Sequence, residues 1–596
     1  MVRLLSVDLE VRHAEDRSTY VRSRHRLEGV PRTVSQVLAE RAAAHPERAF
    51  LVEKQGSGWR TLSYGEAWSA AQSIGAALLS RGASPERPLM ILSENSIDHA
   101  LMSLGAMHVG VPAAPVSSAY ALVSRDHERL KSVAAALRPA VIFTSEPERF
   151  QAALKALEAA GLEPARRVSS GSTAFGSTPI ATLLSEPVTE ASRLASERVG
   201  PETAAKVLFT SGSTGTPAGV VNTQRMLTSN QAMIRAAWPF LADAPPVTLD
   251  WLPWSHTFGG NHNFFMMLWS GGTLYIDDGR AAPGLIERTV DNLEVARPTI
   301  YFNVPRGFEL LLPYLEERAV VRRAFFGRLD VCFYAAAALP PSIWARLSRL
   351  AKLESRPVFF TTAWGSTETT PLSTSAHFAS EVPSQIGVPA PGVELRLAPV
   401  EDRLEIRVRG PHVSPGLWEA GGRVRPLQLD DQGYLCTGDA VEWADPARPE
   451  AGLVFHGRIG ENFKLSSGTW VSTGRVRVGL VSALAPEVSD AVITGHDRDF
   501  LGALLFAAPQ RDEAERAALR ERVLEKLRRH AADHPSTSER IQRALLVFEP
   551  PSLDAGETTD KGYLNQRMVL KRRAALVDRL YREPADAEVL APLGEL

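Results

Sequence analysis

The segment that most limits what this chain can fold into is Thr210-Ser211-Gly212-Ser213-Thr214-Gly215-Thr216-Pro217-Ala218-Gly219. An apolar run, Val207-Leu208-Phe209, precedes it, and a second, Val220-Val221, follows before a helix-like segment from Thr223 to Trp238. Glycines let backbone N–H groups turn toward an anion, and Ser and Thr hydroxyls add donors. The segment therefore reads as a phosphate cradle. It is not a Walker A loop, because the G-x-x-x-x-G-K-[ST] spacing is absent. A flexible Ser/Gly linker is the other reading, but linkers seldom sit directly between two apolar runs. Position 218 is alanine where a phosphate-binding loop of this kind usually carries a cation.

The 596 residues suffice for several domains, and 44% hydrophobic with 22% charged residues is the make-up of an ordinary globular protein. A formal net charge of -2 gives no reason to expect nucleic acid or an anionic membrane as a partner. The Arg-rich stretch Arg520 to Arg529 is interleaved with Glu, as on a solvated helix face. The two cysteines, Cys332 and Cys436, both lie in apolar strand-like contexts and read as core residues, with neither a disulfide framework nor a cysteine metal site implied. The N-terminus meets charges too early for a signal peptide, and no stretch reaches the roughly 18 apolar residues of a membrane helix. A cytoplasmic protein is the expectation.

Strand and helix signals alternate from Thr33 to Thr144. Helical spacing from Thr33 to Ala44 stops at His45-Pro46, and Phe50–Val52 and Trp59–Leu62 read as strands. A helix from Tyr64 to about Arg81, a strand at Pro88–Leu92, a helix near Ser96 to Val109 and a strand at Val141–Thr144 follow. This order predicts an α/β fold with largely parallel sheets. Arg403–Arg409 alternates apolar and charged residues, so a β-rich region is expected after the α/β part. Beyond Arg458 to Glu461 the pattern becomes that of a small α+β domain, with strands near Ala491–Ile493 and Ala503–Phe506 and a charged helix from Asp512 to Ala532. The expected organisation is a large domain, residues 1–460, and a small mobile one, 461–596.

Five further segments carry residues suited to chemistry. Asp250-Trp-Leu-Pro-Trp-Ser-His-Thr-Phe-Gly-Gly-Asn-His-Asn263 offers aromatic bodies and polar ends for the wall of a flat substrate pocket; taken alone, His262 reads as a core histidine. Thr361-Thr-Ala-Trp-Gly-Ser-Thr-Glu368 ends in a carboxylate that can hold Mg²⁺ beside phosphates, or be merely solvated. Tyr434-Leu-Cys-Thr-Gly-Asp439 places an aspartate after a strand, where its two oxygens can accept both ribose hydroxyls or cap a turn. Gly457-Arg-Ile-Gly-Glu-Asn-Phe-Lys-Leu-Ser-Ser-Gly468 and Gly556-Glu-Thr-Thr-Asp-Lys-Gly562 complete the set.

In this order, and over nearly the whole chain, the segments resemble the adenylate-forming superfamily of acyl-CoA synthetases, adenylation domains and luciferases. The stretches Asp250–Asn263, Phe463–Ser472, Gly495–Asp499 and Thr559–Arg567 look like those of bacterial feruloyl-CoA synthetases. The resemblance implies two half-reactions: a carboxylate attacks the ATP α-phosphate to give an acyl-adenylate and pyrophosphate, then the coenzyme A thiol expels AMP. It implies that Thr210, Ser211, Gly212, Ser213, Thr214 and Gly215 cradle the β- and γ-phosphates, and that Thr367 contacts the α-phosphate. Glu368 would hold Mg²⁺, Ala336, Trp364 and Gly365 would lie by the adenine, and Asp439 and Arg458 would hold the ribose. Lys561 would be the catalytic cation, with Thr367 and His256 also in catalytic roles, Glu461 would be the hinge, and Lys464 and Gly468 would serve coenzyme A. Trp251, Trp254, His256, Phe258, Asn263 and Phe302 would line the pocket of an aromatic acid; packing of the core is the other reading for several of them.

Three departures stand out. Ala218 replaces the loop lysine, Ala336 stands where the family usually has glycine, and Val471-Ser-Thr473 lacks the Pro and Glu of many relatives. The first two leave room for a weakened or non-catalytic homologue. An adenylating enzyme with another acceptor, a carrier-protein thiol or an amine, is the further alternative; the chain's ending soon after the small domain favours coenzyme A.

Overall fold

Local chemistry starts and stops the elements. In the computed structural model, which describes residues 2–161, 165–210, 217–379, 384–560 and 562–594, Thr33 caps the helix Val34–Ala44 by accepting from the Gln36 N–H. Ser63 and Glu66 form a reciprocal capping box ahead of the helix Tyr64–Ser80. Thr223 caps Gln224–Ala237 in the same position. The strands read from the sequence at 50–52 and 59–62 are one antiparallel hairpin, Ala49–Gln55 with Gly58–Ser63.

The chain divides into two compact units. One comprises Met1–Ala398, Arg407–Cys436 and Trp443–Val454; the other comprises Pro399–Ile406, Thr437–Glu442 and Phe455–Leu596. In the first unit a nine-stranded sheet runs in the order Arg423–Pro426, Gly416–Glu419, Ala218–Thr223, Ala204–Thr210, Ala113–Pro115, Leu89–Leu92, Val141–Thr144, Arg166–Ser169, Thr178–Pro179. From Ala204–Thr210 onward its neighbours are parallel, as the strand–helix alternation predicts. A four-stranded sheet holds Val247–Asp250, Thr273–Ile276 and the hairpin above. Three parallel strands, Ile300–Asn303, Val331–Tyr334 and Phe359–Gly365, lie in register and turn antiparallel at Leu372–Ser375. The β-rich region follows, with strands at Gln385–Pro389, Glu394–Val400 and Arg403–Arg409.

In the second unit the strands Asp490–Thr494, Leu501–Phe506 and Ile541–Val547 make a sheet, antiparallel then parallel. Side chains alternate across it. Ala491, Ile493, Ala503 and Leu505 pack with the helices Thr473–Leu484 and Glu513–Asp533. Val492, Leu504, Phe506, Leu545 and Val547 pack on the other face with Val569 and Leu580 of the two last helices.

Two expectations are corrected. Cys332 is buried, but Cys436 is only half-buried, because the strand Leu435–Trp443 has half-buried residues from Cys436 to Gly438. That strand also runs through Asp439, which therefore sits within a strand and not in a turn after one.

Candidate active site

The hairpin Ala204–Thr210 and Ala218–Thr223 closes the Ser/Thr/Gly segment, with Thr210 opposite Ala218 and Phe209 opposite Gly219. Ser211, Gly212, Ser213, Thr214 and Gly215 lie outside the described residues. Glycine is needed at 219, since a Cβ there would come within 2.8 Å of Val207 Cγ1 and 3.1 Å of the Phe209 ring. Lys206 is an ammonium inside an apolar strand, 3% exposed. Its Nζ donates to Gly260 O (3.2 Å) and Asn261 Oδ1 (3.0 Å) and lies 5.6 Å from the Phe265 ring centre. Burial pushes it down to about 7. Asn222, across the hairpin, accepts from Asn261 Nδ2 at 2.6 Å. The hairpin thus grips the segment that presents His256, Phe258 and Asn263.

That segment contains a stretch of π-helix, Phe258–Asn263, a geometry frequent at functional sites. The glycine pair permits it: a Cβ at Gly259 would lie 2.3 Å from Leu252 O, and one at Gly260 would lie 2.2 Å from Trp254 O. Asn263 is buried, its Nδ2 donating to Asp250 Oδ2 at 2.8 Å and its Oδ1 2.8 Å from His262 Nδ1. Burial raises the Asp250 carboxyl to about 7 and lowers the His262 imidazole to about 4. His256 is half-buried at the head of the turn, its carbonyl accepting from Gly260 N.

Of the residues expected at the acyl wall, Phe258 and Phe302 come together, with ring centres 6.4 Å apart and edge-on. His262 and Phe333 complete the group. The imidazole stacks on Phe333 at 5.0 Å and stands edge-on to Phe302 at 5.6 Å. Trp254 is elsewhere: its ring packs on His99 (5.2 Å) and Phe264 (4.8 Å), and its backbone N–H donates to Asn95 Oδ1 at 2.9 Å. Trp251 is half-buried.

Phe302 and Phe333 are paired across neighbouring strands one residue before the C-terminal ends of both. The loops beyond those ends carry the expected nucleotide residues, the usual place for a site in parallel sheets. Ala336 follows the second strand with φ +73°, a left-handed conformation that suits glycine. Ala336→Gly is expected to raise stability by about 0.5–1 kcal/mol, the relief of left-handed strain less the added entropy of an unfolded glycine, as read by urea denaturation. After the third strand, Trp364 is buried, and Gly365 is obligatory because Pro371 O lies 1.5 Å from where a Cβ would be. Ser366 and Thr369 form a reciprocal cap around the buried Thr367 and half-buried Glu368. Ser414 ties this turn to the hairpin: its N–H donates to Glu368 O (2.8 Å) and its hydroxyl to Val221 O (2.7 Å). Among the described residues the Glu368 carboxylate has no side-chain hydrogen bond or ion pair, and no group of three or more His, Cys, Asp or Glu could hold a metal by itself. A lone, uncommitted carboxylate beside a phosphate-type loop fits the way Mg²⁺ is held, by one protein carboxylate with substrate phosphates.

In the second unit, Asp439 is nearly buried and Arg458 Nε lies 3.6 Å from its Oδ1, so the two expected ribose residues meet. Glu461 ends a short 3₁₀ turn, its carbonyl accepting from Thr473 Oγ1 at 2.9 Å. Lys464 pairs with Trp470, its Nζ 4.7 Å over the indole. Gly468 has φ +81°, with nothing within 4 Å of a Cβ position. Lys561 lies outside the described residues; around it, Gly562 N donates to Thr559 O (3.0 Å) and Thr559 N to Tyr563 O (2.8 Å).

Sequence reasoning missed Lys206, Asn222, Asp250, Phe333 and Ser414. A lysine inside Ala-Ala-Lys-Val-Leu-Phe was the one overt signal, since an ammonium in a buried strand needs a polar partner.

Residues 38–418 match the AMP-binding enzyme family, and residues 465–585 match the AMP-binding enzyme C-terminal domain. The anthranilate–CoA ligase of Pseudomonas aeruginosa is 29% identical over 310 residues, 50% of this chain and 54% of that protein. The carboxylic acid reductase of Mycobacterium marinum is 22% identical over 621 residues, 93% of this chain and 50% of that protein. The chain spans about half the length of these curated relatives. Among solved structures, the anthranilate CoA ligase AuaEII in complex with anthranoyl-AMP has a TM-score of 0.70 at 19% identity, covering 92% of this chain and 99% of its own. The A domain of the carboxylic acid reductase from Segniliparus rugosus has a TM-score of 0.72 at 18% identity, covering 93% and 94%. Both likenesses show the fold, a large α/β domain followed by a smaller one. With two family matches in the expected order over most of the chain, and the hairpin, turn and strand ends arranged as described, the chain belongs to the AMP-binding enzyme family.

Proposed function

We propose that this chain is an ATP-dependent acid–CoA ligase that activates an aromatic, hydroxycinnamic or ferulate-like carboxylic acid through its acyl-adenylate, releasing AMP and pyrophosphate. The observation that supports the aromatic part is the group of Phe258, His262, Phe302 and Phe333 just inside the strand ends whose loops carry the expected nucleotide residues. Phe258 is half-buried with His262, Phe302 and Phe333 buried around it, a group suited to back the face of a flat ring.

In this reading the first half-reaction brings two anions together, so donors and positive charge must offset their repulsion. Thr210 and Thr367 contribute hydroxyls and Asp439 and Arg458 hold the ribose. Lys561 supplies the cation at the reacting carboxylate and α-phosphate. Glu368 would hold Mg²⁺, which neutralises phosphate charge when bound. Rotation about Glu461 is the proposed means by which Lys561 serves the first step and Lys464 and Gly468 the coenzyme A step. A cytoplasmic location, the domain limits 1–460 and 461–596, and the feruloyl-type branch belong to the same proposal.

The test is ATP–pyrophosphate exchange with a panel of aromatic acids, followed by thioester formation with free coenzyme A and with a carrier protein. Exchange with no aromatic acid overturns the reading. Exchange with transfer only to the carrier thiol favours the second reading, which rests on the likeness to carboxylic acid reductases over 93% of the chain. Ala218 begins its strand opposite Thr210, at the foot of the loop. Ala218→Lys is expected to raise the exchange rate about ten-fold, the size of one charge-assisted hydrogen bond. Unchanged exchange would mean that the loop's phosphate contacts do not need the lysine.

A further inference from the structure

The imidazole of His262 is held in one tautomer. Both Asp250 oxygens accept, Oδ1 from Leu252 N (2.9 Å) and Oδ2 from Asn263 Nδ2 (2.8 Å). With Asp250 ionised, that fixes which end of the Asn263 amide faces the carboxylate, so its oxygen faces His262 Nδ1 at 2.8 Å. Nδ1 must then carry the proton, and Nε2 is left as a bare acceptor. Nε2 is buried and has no hydrogen-bond partner among the described residues.

Around the imidazole stand Phe258, Phe302, Phe333 and Trp238, whose ring centres lie 5.8, 5.6, 5.0 and 6.4 Å from its own. None of the three phenylalanines can donate. The Trp238 indole N–H is itself buried and unpartnered among the described residues. Among the described residues the aromatic group therefore holds one orphan acceptor and one orphan donor. Each orphan costs stability unless something satisfies it. Burial keeps the imidazole neutral at physiological pH, so the acceptor persists.

We propose that His262 Nε2 accepts a hydrogen bond from a hydroxyl on the ring of the acid substrate, and that Trp238 Nε1 donates to the same oxygen, so that the site selects phenolic acids with a free hydroxyl. This rests on the reading of the chain as an aromatic-acid ligase and deepens it. A hydroxyl answers both orphans. A methoxy group has no proton for Nε2, and an unsubstituted ring answers neither. A site built to hydrogen-bond a substrate hydroxyl rejects analogues lacking it strongly, because its own polar atoms then stay unpaired.

The experiment measures kcat/KM for adenylation, by pyrophosphate exchange, over cinnamates and benzoates bearing hydroxyl, methoxy or hydrogen at ring position 3 or 4. The best hydroxylated acid is expected to exceed its methoxy and unsubstituted counterparts by about ten-fold or more. His262→Leu is expected to bring that ratio to within about two-fold, whereas His262→Gln, which keeps an acceptor, retains part of it. Trp238→Phe, a milder change in volume, is expected to lower the ratio several-fold and serves if His262→Leu does not fold. Wild-type activity on aromatic acids with no hydroxyl preference overturns the inference alone and leaves both orphans to a buried water. A preference that survives in His262→Leu also overturns it. No exchange with any aromatic acid overturns the parent reading, and this inference with it.

Discussion

Lys561→Ala is expected to lower the rate of acyl-adenylate formation by about 10²–10³-fold, the usual loss when one preorganised transition-state donor is removed. Under the proposed ligase reading, the reason is electrostatic. The carboxylate and the ATP α-phosphate repel each other as they close, and negative charge moves onto the bridging oxygen and pyrophosphate. A cation that meets that charge as it develops lowers the barrier, because it binds the transition state more strongly than the ground state. The second half-reaction makes a different demand, since a thiol attacks an already activated carbonyl and AMP departs. Supplied with preformed acyl-adenylate and coenzyme A, the variant is expected to make thioester within a few-fold of the wild-type rate, because the lysine is asked for in only one step. The residues on either side of Lys561 are held by backbone bonds, Thr559 N to Tyr563 O and Gly562 N to Thr559 O. The check is pyrophosphate exchange beside single-turnover thioester formation. Equal losses in both would remove Lys561 from its role in the first step.

What could be read from the sequence was whatever is decided locally. Thr33, Ser63 and Thr223 start helices because a side-chain oxygen two or three residues from an unpaired N–H is enough. The strand Asp490–Thr494 was legible because Ala491 and Ile493 serve one core and Val492 another, a period of two that shows in the residues themselves. Gly219 and Gly260 could be seen as glycines, but not why they must be. The clash at 219 is with the paired strand, and the one at 260 is with the Trp254 carbonyl, brought close only by the π-helical turn. Asn263 looked like a ligand-facing amide and is instead committed to Asp250 and His262. Trp254 looked like pocket wall and packs on His99 and Phe264. Ser414 escaped notice because its two partners, Val221 and Glu368, are far from it in sequence. In each case the missing information was a contact set by the three-dimensional path of the chain, between paired strands, around the π-helical turn or across distant segments, which neither propensity nor periodicity encodes.

Arg573→Leu is expected to destabilise the second unit by about 3–5 kcal/mol, the cost of removing one partner from a buried ion pair. Arg573 Nε and Nη2 each lie 2.8 Å from an oxygen of Glu557, a bidentate pair whose side chains are 8% and 5% exposed. The same guanidinium donates to Glu549 O (3.1 Å) and Pro550 O (3.2 Å). Leucine would leave the carboxylate without its counter-ion and both carbonyls without donors, while Ser552 N, at 3.0 Å, would still hold Glu557 in place. Arg573 holds the Glu557 carboxyl below the usual carboxylate range. A depressed folded pKa contributes stability above the unfolded value, about 4.3, and that contribution is lost as pH falls through the folded pKa. Wild-type stability should therefore drop below about pH 4.3 in part through this pair. In Arg573→Leu the buried, unpaired Glu557 has its pKa raised, so protonation favours the folded state and acidification between about pH 7 and 5 should narrow the gap to wild type. Urea denaturation of the whole chain at several pH values, followed by hydrogen exchange at Asp490–Thr494 and Ile541–Val547, reads both effects. The double change Glu557→Leu, Arg573→Leu should recover much of the loss, because an apolar pair leaves no buried charge behind. A single-variant loss under about 1 kcal/mol, or a gap that does not respond to pH, would mean that the pair is not what fixes this corner of the unit. Glu557 lies four residues before Lys561, so loosening this corner should also slow adenylation in Arg573→Leu, and the double change should restore it in step with stability.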